Sequence, residues 1–161
     1  MLHLDLAVPP HDWKRIDRVR EAVGNCVGAV FGDPDLRDAL AMVTAELLEN
    51  AFKYGKTGQP DVRIRVRADD SALVISVTNA VDEASTHARI LVERVAWVRA
   101  FATPLAAYEA ALHDAYTDES DQSGLGLARI RYEGGCALDC DVSTAGEVTV
   151  RAEYALGRSP E

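Results

Sequence analysis

Two short stretches of the 161-residue chain carry residue types that could do chemistry. In the first, TAELLENAFKYGKTG, Glu46 and Asn50 stand four positions apart and Lys53 follows one turn on. On an α-helix residues three and four apart lie above one another, so a carboxylate, a carboxamide and an ammonium group would share one strip. Such a strip suits magnesium and phosphate together. Asn50 offers a neutral oxygen to a hard cation, Lys53 a positive charge to phosphate, and Glu46 a base to an attacking hydroxyl or water. The same spacing also fits a solvated face on which Lys53 pairs with Glu49.

The second stretch, SGLGLARIR, places Ser123, Gly124, Leu125 and Gly126 ahead of an amphipathic run containing Leu127 and Ile130. Glycines there let backbone N–H groups approach an anion, and the start of a helix adds its partial positive charge. Alone, Gly-x-Gly before a helix serves equally well as a hinge. Found together and in this order, a cation-and-phosphate strip and a glycine-rich turn form a far more specific pattern.

The elements that must position these residues follow from hydrophobic periodicity. LHLDLAV alternates Leu2, Leu4, Leu6 and Val8, the period of a half-buried strand. Ile16, Val19, Val23, Val27 and Val30 recur at helical spacing up to Phe31. Asp33 then reads as an N-cap with Pro34 at the first helical position, and this second helix carries Leu36, Leu40, Val43, Leu47 and Leu48 inward. YGKTGQP ends it. DVRIRVRADD and SALVISVTNAV read as a hairpin, with Val62, Ile64 and Val66 facing Leu73, Ile75 and Val77. Leu91, Val95 and Val98 mark a third helix from about Ser85 to Phe101, and Thr103-Pro104 restarts a fourth. The acidic TDESDQSGLG reads as a mobile loop; a short helix, LARIRYEGG, and two strands, ALDCDVS and EVTVRAEYAL, close the chain. The fold class is therefore α+β, a two-layer sandwich of helices on one mixed or antiparallel sheet, spanning 1–156 as a single domain with a frayed tail at 157–161.

At this point the chain resembles the GHKL superfamily, the ATP-binding fold shared by histidine kinases, gyrase-type ATPases and anti-sigma serine kinases. ELLENAFKYG is similar to its N-box and SGLGLARI to its later glycine box. With a leading strand and helix and no histidine phosphoacceptor domain, the chain is most similar to stand-alone anti-sigma-type regulators of bacterial partner switching. The resemblance implies ATP and magnesium as cofactors. It assigns Glu46 as base, Asn50 as magnesium ligand, and Asn50, Lys53, Asn79, Ser123, Gly124, Leu125, Gly126 and Thr149 to the nucleotide. It also implies homodimerisation and a protein partner, either an anti-anti-sigma-type regulator or a sigma factor. The function implied is that of a signalling regulator, with Ser/Thr kinase activity toward the partner.

One box departs from the family. Where D-x-G-x-G is expected the chain reads NAVDE, so Asn79 stands in for the aspartate and both glycines are missing. An asparagine oxygen still accepts a hydrogen bond. Ala80, Val81, Asp82 and Glu83 nevertheless add bulk and charge along the nucleotide's path. This favours a scaffold that regulates by binding alone, whereas the intact Glu46, Asn50 and Gly124 favour the kinase.

Charge and composition narrow the partners. With 26 acidic and 17 basic residues the formal charge is −9, which repels nucleic acid. Arg63, Arg65 and Arg67 alternate as a solvated strand face rather than a nucleic-acid patch. No run approaches membrane-spanning length, and the N-terminus lacks the basic and apolar regions of a signal peptide. A cytoplasmic protein with reduced thiols is expected, with Cys26, Cys136 and Cys140 serving as buried small hydrophobes. His87 and His113 read as isolated surface or half-buried residues, and Trp97, Phe101 and Tyr108 as packing residues in the segment that replaces the family's lid.

Overall fold

The computed structural model describes residues 1–56, 58–82, 86–117 and 124–157. Ser123, Glu83 and Ser85, most of the acidic loop and the last four residues lie outside the described residues. The elements run β1 (Leu2–Val8), α1 (Lys14–Phe31), α2 (Pro34–Tyr54), β2 (Val62–Ala68), β3 (Ala72–Ala80), α3 (Thr86–Ala100), α4 (Pro104–Thr117), α5 (Leu125–Tyr132), β4 (Ala137–Val142) and β5 (Glu147–Ala155). This is the order that periodicity predicts. The five strands form one sheet in the order β1-β2-β3-β5-β4, and every neighbouring pair is antiparallel.

Period-two alternation gives the sheet its two faces. Val62, Ile64, Val66, Leu73, Ile75, Val77, Val148 and Val150 are buried against the helices. Arg63, Arg65 and Arg67, one residue out of step, are exposed on the other face. There Arg65 pairs with Asp5 at 2.9 Å, Arg63 with Glu147 at 2.8 Å and Arg151 with Asp139 and Asp141. The five helices with the inner sheet face make a two-layer α+β sandwich. Leu40, Val43 and Leu47 on α2 sit in the same buried cluster as the strand residues. Among the described residues, no helix is long and apolar enough to cross a membrane.

Local chemistry fixes the ends of the elements that matter for the site. Asp33 caps α2, its carboxylate accepting from the Asp35 and Leu36 N–H groups at 3.0 and 3.1 Å. The Arg131 side chain donates to the Val98 and Phe101 carbonyls at 2.8 and 2.9 Å, satisfying the C-terminal end of α3 and fastening α5 to it. Tyr132 of α5 stacks on Tyr108 of α4, and Trp97 meets Phe101 edge-on, so these aromatics pack as expected. Of the cysteines only Cys136 is fully buried; Cys26 and Cys140 are half-buried, Cys140 because β4 is an edge strand. Burial pushes the Cys136 thiol up to about 12, and burial with the flanking Asp139 and Asp141 pushes Cys140 to about 11.

Asp33→Ala is expected to lower stability by about 1 kcal/mol, the usual cost of a lost N-cap. Chemical denaturation of the two proteins measures the difference.

Candidate functional site

The site forms where α5 lies along α2. A Cβ built on Gly134, just past α5, would fall 2.6 Å from Val43 Cγ2, and one built on Gly126 would fall 2.2 Å from Glu46 Oε2. α5 and the turn that follows it thus cross α2 between Val43 and Glu46. At its start, a Cβ on Gly124 would meet Arg94 Cδ at 3.6 Å and Trp97 and Val98 at 3.9 Å, all on α3. Gly124 opens α5 at φ 72°, a left-handed conformation that suits glycine, and among the described residues no side chain caps that turn. The two stretches singled out in the sequence are therefore brought together.

Glu46 is the most constrained residue of the group. Its side chain is 16% exposed, and its Oε1 accepts from Arg129 Nη1 at 2.7 Å. Glu133, one turn along α5, accepts in turn from Arg129 Nε and Nη2 at 3.2 and 3.1 Å. Burial pushes the Glu46 carboxyl above its ordinary range, the nearby Glu49 adds to the effect, and Arg129 opposes it. A carboxylate tuned upward is a better proton acceptor than an ordinary one.

Asn50 carries a different signal. Its Nδ2 is buried and, among the described residues, has no hydrogen-bond partner. An unsatisfied buried donor costs about 1–3 kcal/mol, so such groups mark places where an acceptor is expected from outside. Lys53 lies with its ammonium 5.2 Å from the Tyr54 ring centre in the last turn of α2, where its charge also suits the helix dipole. A buried amide in need of an acceptor, a basic residue on the same helix and the glycine-opened start of α5 together fit a phosphate-bearing ligand with its cation.

The remaining sequence-derived residues are placed less centrally. Asn79 is 4% exposed on the helix-facing side of β3, where its Nδ2 donates to the Ala80 carbonyl at 3.3 Å. The loop after α2 is fastened to the same carbonyl by the Lys56 N–H at 3.0 Å. Thr149 does not converge with the others. Its side chain lies on the outer face of the sheet, bonded to Thr78 Oγ1 at 2.8 Å, because Val148 and Val150 on either side take the buried positions. That face holds a depression of about 250 Å³ lined by Arg65, Ser76, Thr78, Thr149 and Arg151 among others, with the sheet between it and Glu46. Leu125 and Gly126 form the first turn of α5.

Arg129 is the member of the site that sequence reading misses. Its spacing holds the clue: three residues after Gly126 and four before Glu133, it occupies the α5 face that meets α2.

The architecture defines a class of fold, an antiparallel five-stranded sheet with helices on one face. No family model and no curated protein matches the sequence. A solved structure shares the fold: a chain in the crystal structure of the SiaB–SiaC complex from Pseudomonas aeruginosa matches with a TM-score of 0.74. The match covers 94% of this chain and 88% of that one at 18% identity, a likeness of fold.

Two outcomes follow from the geometry. Gly126→Ala places a methyl group against Glu46 Oε2, the movable end of a side chain, so the variant is expected to fold with the carboxylate displaced from Arg129; a crystal structure that keeps the 2.7 Å pair would contradict this. For Glu46 the linkage has a definite sign. A carboxyl whose folded-state value is raised contributes stability below its unfolded value and loses it as pH rises through the folded value. Glu46→Gln is therefore expected to unfold at a higher temperature than the wild type in mildly alkaline buffer, with the difference closing in acid.

Proposed function

We propose that the chain is a signalling regulator that acts through a protein partner and carries magnesium-ATP at the junction of α2 and α5. The single observation carrying the nucleotide half of this reading is the buried amide of Asn50, whose Nδ2 has no acceptor among the described residues and so calls for one from a ligand, such as a phosphate oxygen. Asn50 would donate from Nδ2 to phosphate and, as the family resemblance implies, offer its Oδ1 to magnesium, assisted by Lys53 and by the backbone of the turn at Gly124 and Gly126. The bound nucleotide would supply the phosphoryl group and its counter-charge. Glu46, with its raised carboxyl, would take the proton of a partner's Ser or Thr hydroxyl, or of water. The likeness to a chain of a two-protein complex supports the partner half, as does the resemblance of the two boxes to anti-sigma-type GHKL regulators.

A second reading, regulation by binding alone, is favoured by a specific observation. Asn79 replaces the family's aspartate: its Nδ2 donates to the adjacent Ala80 carbonyl, and its Oδ1 is an uncharged amide oxygen, a poorer acceptor than a carboxylate. Calorimetry with ATP, with and without magnesium, separates the two readings. The wild type is expected to bind, and Asn50→Ala to lose the magnesium-dependent part of that binding. Glu46→Gln should keep binding but lose about 10²–10⁴-fold in phosphoryl transfer. A wild type that binds no nucleotide leaves the scaffold.

A further inference from the structure

Arg129 has no part in the roles given above, yet its guanidinium is tied to the carboxylate that matters most. Nη1 holds Glu46 Oε1 at 2.7 Å, while Glu133 holds Nε and Nη2 from the opposite side. A planar guanidinium gripped on two edges keeps one orientation, so Oε1 is located relative to α5 as well as to its own helix. The second oxygen is treated differently. Oε2 lies against Gly126, 2.2 Å from the point where a Cβ would stand. One carboxylate thus has one tethered oxygen and one presented at the first turn of α5. Glu46 is the shielded partner at 16% exposed, while the Arg129 side chain is 36% exposed, so the pair is half-buried rather than a fully exposed surface bridge.

We propose that Arg129 is a positioning residue: by holding Oε1 it presents Oε2 of Glu46 at the Gly126 turn as the oxygen that receives the proton. This rests on Glu46 being the base, as proposed above. The fork geometry explains why arginine stands here, since a lysine ammonium, a point charge, can hold one carboxylate oxygen but fixes the carboxylate plane between two partners less well.

The test measures phosphate release from magnesium-ATP, together with thermal unfolding of Arg129→Met, Glu46→Gln and the double variant. Arg129→Met is expected to lower kcat by about 10²-fold, the loss that a misplacement on the order of 1 Å brings, with KM for ATP unchanged. Arg129→Lys should recover part of kcat, and it also serves if the methionine variant fails to fold. The unfolding temperatures should be non-additive, because the two side chains share one interaction. Additive unfolding temperatures would overturn the proposal, as would an unchanged or raised kcat, or a change confined to KM. A wild type that releases no phosphate would overturn the reading of Glu46 as base and this proposal with it, an outcome distinct from an active wild type matched by an equally active Arg129→Met.

Discussion

The close passage of α5 along α2 is the constraint on which the site depends. Two positions without a Cβ, Gly126 and Gly134, set how near the helices come, one beside Glu46 and the other beside Val43. Because Gly134 abuts the core, the depth of α5 is fixed by packing rather than by the polar residues it carries. Arg131 and Tyr132 then secure the far side of α5 to α3 and α4. The glycine-opened turn therefore stands beside Glu46 and α3 as a consequence of hydrophobic packing, and the polar groups inherit their positions.

That arrangement sets stability against chemistry. Burying Glu46 beside Glu49 disfavours its charge, and Arg129 offsets only part of the effect. Leaving the Asn50 amide buried without an acceptor adds a second unfavourable contribution on the next turn of the same helix. α2 can carry both because most of its length is committed to the core: Leu36, Leu40, Val43, Leu47 and Leu48 are all buried. Polar groups buried at a cost on an otherwise well-packed element are what a ligand or proton site requires.

Much of the fold was legible in the sequence because its elements obey simple periods. Asp33-Pro34 and Thr103-Pro104 mark helix starts that the structure keeps, and the alternation in β2 and β3 separates core from solvent without ambiguity. The meeting of Glu46 with the glycine turn was anticipated only through family resemblance, since nothing in spacing alone says that residues 46 and 126 touch. Arg129 escaped because an arginine four before a glutamate on a helix looks like an ordinary surface pair. Thr149 is the converse case. Its motif suggested a place beside the nucleotide, but the buried Val148 and Val150 force it onto the far face of the sheet.

The arginines of β2 bear on how the chain finds its strand pairing. Side chains alternate strictly along a strand, so sliding β2 by one residue would turn Arg63, Arg65 and Arg67 inward and Val62, Ile64 and Val66 outward. Three guanidinium groups would then meet Leu73, Ile75 and Val77 with no carboxylate in reach, while Asp5 and Glu147 would lose the partners they hold in the correct register. The charged outer face thus acts as a proofreader during assembly of the sheet: it adds little to the attraction between correctly paired strands and makes their nearest misalignment prohibitive.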